Sequence, residues 1–328
     1  MPRITAVVAT LNEERHIATC IAGLLNQVGV ELEEILVVDG GSTDGTIEIL
    51  ERLPEFGKKV FLLRNPDRFQ VYAWNIGAAA ARGDYLALFS AHTEYAPDYL
   101  FECVMAAKRS GAANVGGVQV PITDGGIAGP VIAWAMSSRF GVGGASFRYT
   151  QEECFVDSVF GGFYDLALLR RLGGFDVRIP FDEDADLNYR LAKAGHRILL
   201  SPKIKLHYHV RPSLRALSRQ MFRYGFWRRA TQLKHPRHVP RRVVVPSVFL
   251  LMAALSLTML AAGQPGGLIV PLAYAAFCGL ATLEAARRLR SAGALLAPVV
   301  LFVMHVSYGA GYLFGCMQHS RNAFVESH

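Results

Sequence analysis

The sequence has few cysteines and no paired cysteine motif. Five cysteines are spread over 328 residues, an odd number with no CxxC spacing: Cys20, Cys103, Cys154, Cys278 and Cys316. This pattern excludes a disulfide framework and suggests no zinc site, so we expect the thiols to be reduced.

Two phosphate-binding signatures are also missing. Neither GxGxxG nor the P-loop pattern occurs in the chain, which disfavours a Rossmann dinucleotide site and a Walker-type phosphate site. A strand-like run follows Met1 almost at once, without the charged and then apolar leader of a secretory signal. We therefore expect no cleaved signal peptide.

Acidic residues are absent from residues 211–242, where arginine and lysine are frequent. Such a block could bind nucleic acid, anionic lipid or phosphate groups. Three apolar stretches follow it, at 243–262, 267–283 and 294–316. The first and third are long enough to cross a bilayer and the second is marginal. We therefore expect membrane lipid as the partner of the basic block, and no nucleic acid.

The link between the second and third apolar stretches is basic. It carries Arg287, Arg288 and Arg290, whereas the link between the first and second stretches has no charge. By the positive-inside rule, this Arg-rich link and the block at 211–242 both face the cytoplasm.

The first 90 residues alternate between strand-like and helix-like segments. Short β-rich runs occur at 4–10, 34–39, 59–64 and 84–89, with helical patterns between them. This order predicts an α/β fold with a doubly wound, mainly parallel sheet. Ligands of such sheets bind at the carboxyl ends of the strands, which here are followed by LNEE, DGGSTD and SAHTEY.

Polar side chains directly follow the second predicted strand. Asp39, Ser42 and Asp44 lie in the segment DGGSTDG, which has good turn chemistry and is typical of an Asx-type turn. An acid at this position also suits hydrogen bonding to the base or ribose of a nucleotide. We expect this segment to form the turn and also to bind a nucleotide.

Residues 181–191, FDEDADLNYRL, form the most acidic segment of the chain. The apolar spacing predicts a helix whose N-terminus carries Asp182, Glu183, Asp184 and Asp186. Negative charge at a helix N-terminus is ordinary capping. Four crowded carboxylates also raise the pKa of at least one of them, which is one way to tune a general base. This segment alone leaves both interpretations open.

Several motifs together resemble glycosyltransferase family 2, the inverting enzymes with a GT-A fold. They are ATLNEERHI, VVDGGSTDGT, WNIGAAAARGDYLALFSAH and FDEDADLNYRL, in the order and spacing of that family over about residues 4–200. Within the family, MSSRFGVGGASFR, VDSVFGGFYD and the apolar tail are similar to bacterial exopolysaccharide enzymes of the succinoglycan glucosyltransferase type.

The resemblance implies a nucleotide-sugar site at the ends of the first strands. Its donor contacts would be Ala9, Leu11 and Glu13 for the nucleotide, Asp39 for the base, and Asn75 and Gly77 in a turn beside the sugar–phosphate. The base would be uracil.

The family's metal-binding DxD motif falls on Ser90, Ala91 and His92, so this chain departs from the pattern. His92 takes the place of the metal-ligating acid, and imidazole suits Mn²⁺ better than Mg²⁺. The resemblance therefore implies a divalent cation, Mn²⁺ or Mg²⁺, on His92, with Ser90 and Ala91 beside the donor. Glu94 is close enough in sequence to contribute to this metal site.

Asp184 matches the catalytic base of the family, which removes a proton from the attacking hydroxyl. Glu183 and Asp186 would hold the acceptor or orient the base. The segment QMFRYGFW is similar to the family's QxxRW motif and adds further acceptor contacts: Gln220, Arg223, Tyr224 and Trp227. The same segment also suits an interfacial helix at the lipid headgroups.

The expected organisation has three parts: a GT-A domain at 1–205, basic aromatic interfacial helices at 206–242 and a membrane region at 243–328. The expected function is transfer of a hexose, glucose from UDP-glucose, to a polyprenyl-diphosphate-linked saccharide in exopolysaccharide biosynthesis. The enzyme would lie on the bacterial inner membrane with its catalytic domain in the cytoplasm. Two alternatives stay open: a polyprenyl-phosphate glycosyltransferase and a non-catalytic assembly subunit with the same fold.

Overall fold

The computed structural model describes residues 2–123, 125–143, 150–159, 162–237 and 241–319. The chain divides into two compact units, Met1–Val120 with Tyr149–Tyr208, and Pro121–Arg148 with His209–His328. The motifs MSSRFGVGGASFR and VDSVFGGFYD lie partly outside the described residues.

Within the described residues, nine strands form one mixed sheet. They are β1 (Ile4–Thr10), β2 (Leu32–Asp39), β3 (Val60–Arg64), β4 (Tyr85–Ser90), β5 (Thr93–Tyr95), β6 (Asn114–Ile122), β7 (Cys154–Phe155), β8 (Phe163–Asp165) and β9 (Ile198–His209). The strand order is β3-β2-β1-β4-β8-β6-β9-β5, and β7 pairs with β9.

Strands β1 to β4 form the parallel part of the sheet. β1 pairs in parallel with β2 and with β4, and β2 pairs in parallel with β3. β8 is antiparallel to β4. The strand order reverses at β1, because β2 and β3 lie on one side of it and β4 lies on the other. Such a reversal opens a crevice at the carboxyl ends of the strands.

Helices connect the strands of the first unit. They are α1 (Ile17–Leu25), α2 (Thr46–Glu51), α3 (Gln70–Ala80), α4 (Tyr99–Ser110), α7 (Leu166–Arg171) and α8 (Glu183–Lys193). A hydrophobic core joins residues of the sheet with residues of α3, α7 and α8, and includes Val7, Leu36, Trp74 and Leu187. The near-continuous apolar run of β1 is typical of a strand buried on both faces.

The second unit is helical. Its helices are α5 (Gly129–Met136), α6 (Arg139–Val142), α9 (Leu214–Lys234), α10 (Val245–Ala261), α11 (Ile269–Leu289) and α12 (Ala297–Gln318). Each of α10, α11 and α12 follows a 3₁₀ turn, at Arg241–Val244, Pro265–Leu268 and Ala292–Leu296.

Among the described helices, two are long and apolar enough to cross a membrane, Pro265–Leu289 and Ala292–Gln318. The helix Val245–Ala261 is shorter. The first apolar stretch, which we expected to be long enough to cross a bilayer, therefore forms the shorter helix, and the second, which we expected to be marginal, lies in a helix that is long enough. The second helix continues through Arg287 and Arg288 beyond the apolar run, because charged residues with long side chains are good helix formers.

α9 runs parallel to α12 with their backbones close together. Ser218 Oγ lies 2.8 Å from Ser307 Oγ, and a Cβ on Gly311 would lie 2.0 Å from the carbonyl oxygen of Phe222. Each of these two contacts joins residues that are 89 positions apart in the chain. The two helices therefore stay aligned side by side over more than one turn. Only glycine at position 311 permits this approach.

Candidate functional site

The loops after β1 and β2 are joined by a network of hydrogen bonds. The backbone N–H of Asn12 donates to Ser42 Oγ at 2.8 Å, and the N–H of Thr43 donates to Asn12 Oδ1 at 2.8 Å. The N–H of Glu13 donates to Thr46 Oγ1 at 2.8 Å. The two strand ends therefore form one continuous rim of the crevice.

Asp39, at the end of β2, forms the Asx-type turn expected from the sequence. Its Oδ2 accepts the N–H groups of Gly41 at 2.7 Å and of Ser42 at 2.9 Å, and its Oδ1 accepts the Ser42 hydroxyl at 2.5 Å. These bonds fix the carboxylate at the end of the strand. A carboxylate offers about four acceptor sites, so one remains for a ligand.

Ala9 and Leu11 lie on the same rim. Ala9 pairs with Ser90 of β4 in the sheet register, and the Leu11 side chain is 40% exposed. Leu11 Cδ1 lies 3.5 Å from the position that a Cβ would take on Gly40. Leu11 therefore offers an apolar surface beside the Asp39 turn.

Glu13 and His92 form a pair between the ends of β1 and β4. His92 Nδ1 lies 2.9 Å from Glu13 Oε1, and the imidazole is 45% exposed while Glu13 is only 18% exposed. An ionised carboxylate can only accept, so this contact places a hydrogen on Nδ1, and in the neutral imidazole Nε2 is then an acceptor. Ser90 donates its backbone N–H to the Tyr95 hydroxyl at 3.0 Å, and Ala91 is buried.

The described residues contain no group of three or more His, Cys, Asp or Glu side chains that could hold a metal ion. His92 with Glu13 nevertheless matches a common arrangement, in which a metal-ligating histidine donates its other N–H to a carboxylate. The residues therefore fit a cation that takes one nitrogen ligand from the protein and further oxygen ligands from an anionic substrate. Glu94 lies on β5, opposite His207 of β9.

Asn75 and Gly77 lie within α3, so the turn expected at these positions was wrong. Asn75 Nδ2 donates to the carbonyl oxygen of Phe175 at 2.8 Å, and its Oδ1 accepts the Phe175 N–H at 2.8 Å. A Cβ on Gly77 would lie 2.4 Å from Val7 Cγ1. The helix continues through the glycine because this position packs directly on β1.

The acidic segment begins α8, as the sequence predicts. Asp182 occupies the N-cap position without a side-chain capping bond, and Glu183, Asp184 and Asp186 lie in the first turn. Asp184 Oδ1 accepts the N–H of Ala185 at 2.7 Å. Phe181, just before the helix, meets Phe69 edge-on, with ring centroids 6.0 Å apart. This contact brings the loop after β3 to the start of α8.

Burial raises the pKa of Glu183 well above its ordinary value, and the Asp184 charge raises it further. A hydrogen bond from the Trp74 indole opposes this shift in the pKa. The pKa of Tyr164 on β8 is also raised, first by burial and then by the charges of Asp184 and Glu183. Burial therefore disfavours Glu183 as an anion, and the Asp184 charge acts on both Glu183 and Tyr164.

Asp186 is fully buried and forms an ion pair with Arg190, with Oδ2 2.9 Å from Nε. Arg190 also donates to the carbonyl oxygens of Leu172 at 2.7 Å and Gly174 at 2.5 Å. Asp186 therefore orients Arg190, and Arg190 in turn holds the backbone of the turn before α8. Its predicted contact with an acceptor stays a prediction.

Gln220, Arg223, Tyr224 and Trp227 all lie on α9 in the second unit. Gln220 is buried, and its Nε2 donates to the Tyr224 hydroxyl at 2.9 Å. The Trp227 ring lies 5.3 Å from that of Phe226 and perpendicular to it. The predicted acceptor contacts of these residues stay a prediction.

Sequence reasoning missed three residues of this region: Arg68, Trp74 and Arg190. Arg68 follows β3 with a backbone φ of 66°, in the left-handed region. Trp74 belongs to the same core cluster as Leu187 of the acidic helix α8, and Arg190 lies in the last turn of α8. The spacing of Asp186 and Arg190, four residues apart on one helix, was the one signal that could have revealed the ion pair.

The family profile described as Glycosyl transferase family 2 matches residues 5–166. The chain is 32% identical over 309 residues to the succinoglycan biosynthesis protein ExoA of Rhizobium meliloti (strain 1021), covering 93% of this chain and 92% of that protein. It is 31% identical over 231 residues to the dolichyl N-acetyl-alpha-D-glucosaminyl phosphate 3-beta-D-2,3-diacetamido-2,3-dideoxy-beta-D-glucuronosyltransferase of Methanococcus voltae, covering 68% and 71% of the two chains.

Solved structures share the fold. The mannosyltransferase PcManGT from Pyrobaculum calidifontis, in complex with GDP-Man and Mn²⁺, superposes with a TM-score of 0.63 at 21% identity, over 97% of this chain and 88% of that one. GalNAc-T7 with UDP, GalNAc and Mn²⁺ superposes with a TM-score of 0.53 at 16% identity, over 73% and 52%. These similarities confirm the predicted GT-A fold. The chain belongs to glycosyltransferase family 2 and is a glycosyltransferase.

Proposed function

We propose that this enzyme transfers glucose from UDP-glucose, with inversion, to a polyprenyl-diphosphate-linked saccharide in exopolysaccharide biosynthesis. The relative from Rhizobium meliloti is named for succinoglycan biosynthesis, and the name of the relative from Methanococcus voltae describes a lipid-linked acceptor. The two relatives cover 93% and 68% of this chain. The first name supports a role in exopolysaccharide biosynthesis, and the second supports a lipid-borne acceptor.

The observation that carries the proposal is the position of Glu183 and Asp184 side by side in the first turn of α8, where burial and the Asp184 charge raise the pKa of Glu183. Since this shift disfavours Glu183 as an anion, the proposal assigns the role of the ionised carboxylate to Asp184. An ionised carboxylate can take the proton of an acceptor hydroxyl as that oxygen attacks C1 of the donor sugar. The bond from C1 to the diphosphate breaks on the opposite face, and the nucleoside diphosphate leaves with the electron pair.

The remaining residues have supporting roles in the proposal. Asp39 accepts an N–H of the base, and Leu11 lies along the nucleotide. His92, oriented by Glu13, would hold a Mn²⁺ or Mg²⁺ ion, which offsets charge on the diphosphate when it is bound. Asn75 and Asp186 act as positioning residues, because both fix the backbone of residues 172–175 before α8.

The second unit supports attachment to the cytoplasmic face of a bacterial inner membrane. Two of its helices are long and apolar enough to cross a bilayer, and α9 carries six arginine and lysine residues and no acid. In the proposal, α9 meets anionic headgroups and its QxxRW-like face meets the acceptor. The boundaries 1–205, 206–242 and 243–328 are retained for the catalytic, interfacial and membrane parts.

A donor screen tests this function. Detergent-solubilised full-length protein is incubated with Mn²⁺, a bacterial membrane lipid extract and, separately, UDP-glucose, UDP-galactose, UDP-N-acetylglucosamine or GDP-mannose. Mass analysis of the lipids should show one added hexose with UDP-glucose, and NMR of the product should show a β linkage. An α linkage contradicts inversion, a product on polyprenyl monophosphate supports the alternative acceptor, and hexose addition only with another donor overturns the choice of glucose.

A further inference from the structure

We propose that α12 lies in the plane of the membrane surface and does not cross the bilayer, so that α12 ends on the same side as the catalytic unit. The inference rests on the membrane attachment in the proposed function, but not on the identity of the donor or of the acceptor. Length and apolar composition alone would allow α12 to cross. The helix that is paired with it argues against a crossing.

The outer face of α12 is apolar from one end of the helix to the other. Val299, Phe302 and Met317 are exposed, whereas Leu301 and Tyr312 are buried. Val299 and Met317 are 18 residues apart in the chain, which is five full turns, so they lie on one face of the helix. Such a face suits contact with lipid chains both in a helix that crosses the bilayer and in one that lies at its surface.

The inner face of α12 is paired with the basic helix α9. The contacts at Ser307 and Gly311 continue towards the end of α12, where a Cβ on Gly315 would lie 2.8 Å from the carbonyl oxygen of Phe226. The rings of Phe226 and His319 follow, with their centroids 4.4 Å apart. The two helices therefore run together from the middle of α12 to its end, and they must lie at the same depth in the membrane.

A crossing by α12 would carry arginines into the hydrocarbon. Ser307 lies near the midpoint of α12, so its contact with Ser218 would place Ser218 near the bilayer centre. At 1.5 Å per residue, three arginines of α9 would then lie within about 8 Å of that centre: Arg215, Arg219 and Arg223. Arg215 and Arg219 are exposed, and α9 has no acidic residue. Arginine at this depth is costly and is normally turned towards the protein interior.

A position at the membrane surface suits both helices. Phe222 of α9 and Phe314 of α12 are exposed, and their ring centroids lie 6.0 Å apart. The apolar outer face therefore continues from α12 onto α9. Arg215 and Arg219 precede Phe222 by seven and three residues and lie on the same side of α9. Aromatic rings among the acyl chains and guanidinium groups among anionic headgroups are the arrangement of an interfacial helix.

Helices α10 and α11 form an antiparallel hairpin that can enter the bilayer. The rings of Phe249 and Tyr274 stack with centroids 4.6 Å apart, and Ser256 Oγ donates to the carbonyl oxygen of Gly267 nearer the tip. The tip itself, residues 262–267, carries no charge. Because the two helices run in opposite directions, α11 returns the chain to the surface at which α10 begins.

α12 meets this hairpin at its open end. Ser247 Oγ, in the first turn of α10, donates to the carbonyl oxygen of Gly309 at 3.4 Å. The Tyr274 hydroxyl, at the level of Phe249, lies 3.1 Å from His305 Nδ1. The hairpin thus enters the bilayer from the surface on which α9 and α12 lie. The arginines in the last turn of α11 lie at this returning end, in agreement with the positive-inside rule.

Protease accessibility in membrane vesicles tests the side on which α12 ends. A site for a sequence-specific protease and an epitope tag are placed after His328 of the full-length chain, or before Met1 as the reference for the catalytic unit. We expect both sites to be cut in inside-out vesicles and both to resist the protease in intact spheroplasts. Cutting after His328 in spheroplasts, with the site before Met1 protected, would overturn the proposal, because α12 would then cross the bilayer.

Spin-label depth in lipid nanodiscs tests the orientation of α12 itself. Val299→Cys, Ala310→Cys and Met317→Cys are labelled singly in a background that carries serine at the exposed Cys316 and the half-buried Cys154. In a helix that lies in the membrane plane, the three labels should agree in depth within about 5 Å. A crossing helix would place the label at position 310 about 10 Å deeper than the label at position 317, and this result would also overturn the proposal.

Two controls separate this inference from the proposed membrane attachment. Leu255→Cys on the exposed side of α10 should report a greater depth than all three labels on α12. An equal depth would show that the hairpin does not enter the bilayer and would overturn the arrangement. Full-length protein that stays in the supernatant when membranes are sedimented would overturn the membrane attachment in the proposed function, and the inference with it.

Discussion

Glu13 Oε1 lies 2.9 Å from His92 Nδ1, so a carboxylate from the loop after β1 orients an imidazole from the loop after β4. The two residues are 79 positions apart in the chain, and they meet because β1 and β4 are neighbours in the sheet. In the proposed function, this pair orients the imidazole that would hold the metal ion in a chain with Ser90 in place of the family's usual acid.

The first prediction concerns this pair. Glu13→Ala should raise the Mn²⁺ concentration for half-maximal transfer by about 10-fold or more, because outer-shell carboxylates contribute this much to metal affinity. His92→Ala should weaken the Mn²⁺ dependence further. Manganese titration of transfer activity is the measurement, with Glu51→Ala as a carboxylate control from the exposed end of α2. Titration curves that coincide for His92→Ala and wild type would remove His92 from the site.

The second prediction follows from the raised pKa of Glu183. Between the ordinary carboxyl pKa near 4.5 and the raised value, the folded protein binds more protons than the unfolded chain. Stability is therefore lost as the pH rises through this window. Glu183→Gln keeps a neutral side chain and should show a smaller fall in melting temperature between pH 5 and pH 8 than wild type. Parallel curves for the two proteins would contradict the raised pKa.

The third prediction concerns the buried ion pair of Asp186 and Arg190. Asp186→Asn leaves a buried guanidinium without its counter-ion, so it should lower the free energy of unfolding by about 3–5 kcal/mol. The double variant Asp186→Asn/Arg190→Met should recover part of that loss. Chemical denaturation of the solubilised protein measures both. A neutral Asp186→Asn would show that the carboxylate is available for another role, such as acceptor binding.

The fourth prediction compares two helical glycines. Gly77→Ala places a methyl group against Val7 and should destabilise the protein by about 1–3 kcal/mol, as overpacking does. Gly23 of α1 has no atom within 4 Å of its Cβ position, so Gly23→Ala should be neutral or stabilising by up to about 1 kcal/mol. Combining Gly77→Ala with Val7→Ala should cost less than the sum of the single changes. Additive losses would argue against this contact.

Sequence patterns were sufficient for the parallel half of the sheet and for the acidic helix. The apolar runs of β1 and β2 have few other interpretations, and the acids at Asp182 and Glu183 precede a regular helical spacing. The turn at Asn75 and Gly77, which the family resemblance implied, was wrong because both residues lie in α3, where the packing of Gly77 on Val7 depends on the fold.

Contacts between distant segments could not be predicted from the sequence. The pairing of Glu13 with His92 depends on strand order, and the position of Arg68 depends on a backbone angle that its residue type disfavours. The hydrogen bonds of Asn75 to Phe175 join residues 100 positions apart. These features become visible only when the carboxyl ends of the strands are placed side by side.

The most direct test of the account compares wild type with Asp184→Asn in single-turnover transfer from UDP-glucose, with UDP binding measured on the same samples. Asp98→Asn, a change at the exposed start of α4, serves as the matched control. The account predicts that Asp184→Asn slows transfer by at least about 100-fold while the Kd for UDP stays within about two-fold of wild type. Transfer at the wild-type rate by Asp184→Asn would contradict the assignment of the base and the mechanism built on it.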